Sequence, residues 1–107
     1  MKYYIYKIYK KDQPDFYIGS TNNLSRRKSH HKKNTTNKVG KRYWCTLYQH
    51  IRKNGLWDAF TVEVIEAGTS DDFKFIRQRE QYYINELKPT LNMQAASVYI
   101  HDENENI

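Results

Sequence analysis

A chain of 107 residues with 38% hydrophobic and 15% aromatic content, including ten tyrosines, has room for one small core and is too apolar to be disordered. Its single cysteine, Cys45, excludes an internal disulfide and a multi-cysteine zinc site, and no apolar run approaches the ~20 residues that span a bilayer. The net charge of +6 is unevenly spread: between Asp15 and Asp58 there is no acidic residue and there are ten basic ones, a field suited to a polyanion such as nucleic acid.

Lys2 to Lys10 (KYYIYKIYK) is dense in Tyr and Ile, which favour strands. It lacks the uninterrupted apolar run and cleavage site of a signal peptide, so an intracellular protein, cytoplasmic or at the nucleoid or nucleus, is expected rather than a secreted one. KDQPD is turn chemistry, with Pro14 unable to donate to a ladder, and FYIGS (Phe16 to Ser20) is a second short strand, which predicts a β-hairpin. Thr21, Asn22 and Asn23 offer N-caps for a helix through about Lys33. Asn34 to Arg42 is polar, basic and aperiodic, as in a mobile loop.

Tyr43 to Asn54 reads as an amphipathic helix, with Trp44, Leu47, Tyr48 and Ile51 at i, i+3, i+4 and i+7 and Gly55 as its stop. Phe60 to Glu66 alternates as a strand, which puts Phe60, Val62 and Val64 on one face. Ser70, Asp71 and Asp72 open a last helix that runs to about Leu87, before Pro89. The order β-β-α-α-β-α predicts an α+β fold, a small, mainly antiparallel three-stranded sheet flanked by helices. The domain is expected over residues 1–92, with a frayed tail over 93–107.

Two helices carry side chains that do not suit their faces. On the last one, Phe73, Ile76, Tyr83, Ile84 and Leu87 define an apolar stripe, and Glu80 falls on it, four residues from both Ile76 and Ile84. A carboxylate facing a core is costly unless it is paired or binds a metal. Arg77 and Arg79 are near in sequence, but neither shares its face. On the first helix Leu24 is the sole aliphatic residue, so the inward face continues through Arg27 and His31. Periodicity leaves open whether these two serve a phosphate or whether Leu24 anchors a solvated basic helix.

YIYKIY, followed some ten residues later by YIGSTNNLSRRKSHH, resembles the GIY-YIG nuclease domain. The resemblance continues in order through IRKNG, FTVEVIE, EQYYINELKP and TLN, from Tyr4 to Asn92. Tyr6 matches the tyrosine of the first motif, with Tyr4 where the family has glycine; Tyr17 and Gly19 match the second motif. Arg27, His31, Glu80 and Asn92 match the family's arginine, histidine, metal-binding glutamate and closing asparagine, which makes Tyr6, Tyr17, Arg27, His31, Glu80 and Asn92 the implied catalytic set.

The implied activity is metal-dependent endonucleolytic hydrolysis of DNA phosphodiester bonds. Glu80 would hold Mg²⁺ or Mn²⁺ without any small-molecule cofactor, and Arg27 would stabilise charge. Tyr6 would be the base, its phenol made more acidic by Arg27, His31 and the ion, while Tyr17 positions the phosphate. Arg26, Lys28, Lys32, Lys33, Lys38, Lys41 and Arg42 are the expected nucleic-acid contacts. A monomer or weak dimer with no membrane association is expected. No appended recognition module is expected, and with it low intrinsic sequence specificity, with structure-specific or nicking action open. A non-catalytic nucleic-acid-binding module and an RNA-directed nuclease remain as alternatives at this stage. The other tyrosines, Tyr48 among them, and Cys45 read as packing.

Overall fold

The predicted hairpin forms from β1 (Lys2–Tyr9) and β2 (Phe16–Thr21), and β3 (Thr61–Thr69) joins the other side of β1. The computed structural model describes residues 1–92, so the predicted tail lies outside the described residues. The strands make a three-stranded antiparallel sheet in the order β2-β1-β3, flanked by α1 (Leu24–Thr36), α2 (Thr46–Lys53) and α3 (Phe73–Leu87). Single 3-10 turns lie at Trp57–Ala59 and Thr90–Asn92. This is the expected α+β order.

Because β1 is central and side chains alternate along a strand, it feeds two cores. Tyr6 and Ile8 pack with Leu47, Tyr48 and Ile51 of α2 and with Leu91. Tyr3 and Ile5 pack on the opposite face with Ile18 of β2 and Ile76 of α3. Each core has a tyrosine laid across a glycine of the neighbouring strand. Tyr6 pairs with Gly19 of β2, and Tyr3 with Gly68 of β3. A Cβ would stand 2.6 Å from the Tyr6 hydroxyl at Gly19, and 2.8 Å from the Tyr3 hydroxyl at Gly68, so only glycine fits either place.

Four expectations are corrected. The β1–β3 register shifts between Ile5 and Tyr6: Tyr6 faces Val64 and Ile5 faces Glu66, which leaves Ile65 as the extra residue of a bulge. Val62 and Val64 keep one face, opposite Ile8 and Tyr6, although Val64 is 40% exposed; the bulge breaks the expected alternation one step later, so that Ile65 and Glu66 both turn toward α3. α1 outlasts its expected end, through Thr36, and the fully buried Thr35 donates its hydroxyl to the His31 carbonyl. α2 begins only at Thr46, because Tyr43 and Cys45 close turns onto the carbonyls of Gly40 and Arg42. Trp44 is therefore outside the helix and its core. On α3, Ile76, Tyr83 and Ile84 pack on the sheet, while Phe73 and Leu87, at its two ends, stay exposed.

The helix ends follow their sequence signals. Asn23 caps α1 by accepting from the Arg26 amide, and Asp72 caps α3 by accepting from the Lys74 amide. α3 stops where Lys88 turns left-handed ahead of Pro89. Among the described residues no helix is long and apolar enough to cross a membrane.

Candidate active site

α1 turns Arg27 and His31 inward, as its pattern predicts, and His31 is buried. Its ring is fixed at both nitrogens. Nε2 lies 2.7 Å from the Tyr6 hydroxyl and Nδ1 lies 2.7 Å from the Tyr48 hydroxyl. The Asn34 amide donates to the same Tyr48 oxygen at 3.4 Å. Trp57 stacks on the imidazole with centroids 5.9 Å apart, and Tyr17 meets it edge-on at 5.8 Å. Trp57 reaches that place because Gly55 and Leu56 both take positive φ, 107° and 69°. Leucine in that region is strained, and the strain is offset by the bond from its amide to the Ile51 carbonyl.

Burial lowers the His31 pKa to about 3, with Arg27 and Arg42 adding to the effect. The imidazole is therefore neutral and offers one donor and one acceptor, so one of the two tyrosines donates to it and the other accepts. Burial also raises the Tyr6 phenol above its ordinary value, opposed chiefly by Arg27, and pushes Tyr48 up to about 12. Here the sequence-based expectation is corrected: a neutral His31 lends no positive charge to a Tyr6 phenolate.

Glu80 approaches from α3 on the other face of the sheet. It is half-buried and accepts a hydrogen bond from the Ser20 hydroxyl. Burial raises its pKa, opposed by the Ser20 bond and by the fields of Arg27 and Arg77. Glu66, the other carboxylate on this face, is treated differently. It accepts from the Tyr3 and Tyr83 hydroxyls, each at 2.8 Å, and from the Arg79 guanidinium at 2.6 and 2.9 Å. The Arg79 bonds, helped by the two phenols, hold its pKa near about 2. Arg79 is thus committed to Glu66, which removes it as a partner for Glu80.

The two sides meet at one step of the edge strand. Gly19 pairs with Tyr6 and Ser20 with Ile5, so consecutive residues of β2 lead from the Tyr6 face to the Glu80 face. Arg27 acts electrostatically on both Tyr6 and Glu80. Asn92, in contrast, is bonded to the backbone: its Oδ1 accepts from the Ile18 amide at 2.9 Å and its Nδ2 donates to the Ile18 carbonyl at 2.8 Å. It holds the outer edge of β2 one residue before Gly19. Arg26, Lys28, Lys32, Lys33, Lys38 and Lys41 are exposed along α1 and the following turns, and Arg42 is half-buried.

Sequence reasoning passed over Tyr48 and Ser20. Tyr48 had a signal, since a tyrosine at a fully apolar helix position needs a partner for its hydroxyl. Ser20 had its parity: it is one residue past Gly19 and so faces away from Tyr6.

Residues 2–93 match the family model of the GIY-YIG catalytic domain. The fold is similar to a mutant of the catalytic domain of the intron endonuclease I-TevI, at 24% identity and a TM-score of 0.67 over 82% of this chain and 86% of that one. It is likewise similar to the catalytic domain of the homing endonuclease I-TevI, at 22% identity and a TM-score of 0.68 over 84% and 92%. No curated protein gives a significant match. At such identities the solved structures speak for the fold, and the family match, spanning the whole described domain, establishes that this chain belongs to the GIY-YIG family of nuclease catalytic domains.

Proposed function

We propose that the domain is a divalent-metal-dependent endonuclease acting on the phosphodiester bonds of DNA. The observation that carries this reading is the gathering of Tyr6, Arg27 and Glu80 around the Gly19–Ser20 step. A phosphodiester needs an attacking water relieved of its proton, a cation for the developing charge and help for the departing oxygen. Each requirement has a side chain here.

The protein's share of a metal site is one carboxylate, since no group of three or more His, Cys, Asp and Glu stands together among the described residues. That donor set fits Mg²⁺ or Mn²⁺, hard cations that keep several waters, and does not fit zinc. Glu80 would hold the ion, and Ser20 would steady the carboxylate from one side. When bound, the ion supplies positive charge to the phosphate and to the departing oxygen.

The Arg27 guanidinium, permanently charged and planar, grips the non-bridging oxygens. Tyr6 takes the proton of the attacking water on its oxygen while its own proton passes to His31 Nε2 over the 2.7 Å bond. The hydroxide joins phosphorus and the ester oxygen leaves. The Nδ1 proton stays between His31 and Tyr48, so the imidazolium formed has both N–H groups bonded. Burial, with the fields of Arg27 and Arg42 added, makes His31 a weak base at rest, and an arriving phosphate offsets those two charges. Tyr17 lines this face and positions the phosphate, and Asn92 acts through the backbone of β2. The basic residues of α1 and its following turns bind the DNA backbone, which favours low sequence specificity.

The test is cleavage of plasmid, branched and single-stranded DNA, and of RNA, with and without Mg²⁺ or Mn²⁺. Metal-dependent DNA cleavage that disappears in Glu80→Gln is expected. DNA binding with no cleavage under any metal would replace this reading with a binding module. Cleavage of RNA alone would move the substrate class.

A further inference from the structure

Trp44 has no part in the core or in the chemistry above, yet it is held firmly. Its side chain is 71% exposed. Its carbonyl accepts from the Gln49 side-chain amide at 2.5 Å, and its indole stands edge-to-face on Tyr43 at 4.8 Å. The Arg52 guanidinium covers the Tyr43 ring at 3.6 Å, lies 5.7 Å from the Trp44 ring, and donates at 2.9 Å to the carbonyl of the buried Thr35. The indole is therefore braced from the body of the domain and presented outward. A lone exposed tryptophan is ordinary on a protein surface, but one whose ring and backbone are both held from the body of the domain offers a contact platform at little ordering cost.

The surroundings say what. The segment that carries Trp44 also carries Lys38, Lys41 and Arg42, and no acidic residue stands anywhere between Asp15 and Asp58. An aromatic ring carried on a segment whose charges are all positive suits a nucleic acid, with phosphates on the cations and a base on the ring. The segment also adjoins the site. Arg42 and Cys45 line one cavity together with Tyr17, Tyr48 and Leu91.

We propose that Trp44 is a stacking platform for an unpaired nucleobase beside the scissile phosphate. The substrate class is then DNA with unstacked nucleotides at the cleavage point, as at a flap, a branch or a frayed end. This deepens the nuclease reading and rests on it.

The experiment measures binding by fluorescence anisotropy in EDTA, with a short single strand, a flapped duplex and an intact duplex as probes. Trp44→Ala should weaken the single-strand and flap complexes by about 5- to 100-fold, with the intact duplex unchanged, and Trp44→Phe should restore most of the loss. Tryptophan emission of the wild type should be quenched by the single strand, and that quenching should vanish in Trp44→Phe, which keeps the buried-side Trp57. Equal affinities for Trp44→Ala and wild type on every probe would overturn the proposal. So would a dimer seen by sedimentation that Trp44→Ala dissolves, because the ring would then face a second copy. The nuclease reading fails separately, if the wild type cleaves no DNA with Mg²⁺ or Mn²⁺ present.

Discussion

The Tyr6 phenol lies flat against Gly19, its partner across the β1–β2 pair, so closely that a methyl group there would occupy the space of the hydroxyl. Tyr3 and Gly68 repeat the relationship on the opposite face between β1 and β3. This gives a paired test. Gly19→Ala and Gly68→Ala should each cost about 1–3 kcal/mol of stability by overpacking. Only Gly19→Ala should also remove cleavage, because it alone displaces the phenol bonded to His31. Equal cleavage by the two variants at a temperature where both are folded would detach Tyr6 from the chemistry.

Glu80 and Arg27 are separable by what each removal leaves. Glu80→Gln keeps the shape and the Ser20 contact while deleting the charge, so cleavage should be lost and DNA affinity in EDTA retained. Arg27→Ala should slow cleavage by about 10²–10³-fold, as for one preorganised charge-stabilising donor. Single-turnover rates of the two variants decide the matter, and a mild defect in Arg27→Ala would shift the role to Arg26 or Lys28.

The relay through His31 makes different demands on its two tyrosines. Tyr6→Phe should remove most of the rate. Tyr48→Phe strands one nitrogen of a buried imidazole, which should cost about 1–3 kcal/mol of stability and slow cleavage without abolishing it. ¹⁵N chemical shifts of His31 should show the Nδ1–H tautomer in the wild type and a changed tautomer balance in Tyr48→Phe. Tyr17→Phe, which leaves the relay intact, should do less harm than Tyr6→Phe. The reverse ranking would exchange the two roles.

Acid should destabilise the fold early. The His31 pKa is lowered from 6.5 to about 3, so between those values the unfolded chain takes up a proton that the native one refuses. Stability therefore falls as pH drops from about 6.5 toward 3. Glu66, lowered from 4.5 to about 2, adds a loss of the same sign that begins lower. Urea midpoints against pH should decline in the wild type well above the carboxylate range, and His31→Gln should be flat there. A flat wild-type profile between about pH 6.5 and 5 would mean that His31 is charged in the native state.

Charge reversal at Lys38, Lys41 and Arg42 should weaken binding to all DNA sequences alike. The slope of log affinity against log salt should shrink by roughly 0.9 for each phosphate that is no longer neutralised. A change of sequence preference with the slope intact would mean that the segment reads bases by hydrogen bonding.

The element types were legible because the chain keeps its periods: alternation in β1, and the inward face of α1 continuing into Arg27 and His31 with so little else to bury. The errors have physical causes. The helical period of α2 extends by chance onto Trp44, and nothing local shows that turns onto Gly40 and Arg42 take the backbone bonds first. A single inserted residue in β3 puts Ile65 and Glu66 on one face, against the alternation expected through Glu66, because side-chain direction has a period of two. The charge state of His31 depends on burial by Tyr6, Tyr48 and Trp57, which come from three distant segments. Asn92 was recognisable by its motif position, but its partner is a backbone unit at Ile18 that no pattern marks.

The Asn92 clasp has a consequence for timing during synthesis. It joins residues separated by 74 positions, and the Ser20–Glu80 bond joins residues separated by 60, whereas Tyr6 and His31 are only 25 apart. The hairpin and α1 leave the ribosome long before α3 and the closing turn, and contacts this distant in sequence form only after their loop-closure entropy is met. A nascent chain thus carries the tyrosines and basic residues well ahead of the carboxylate and of the clasp on β2. Assembly of the Tyr6, Arg27 and Glu80 grouping waits for α3, so the proposed site is incomplete in a half-made chain.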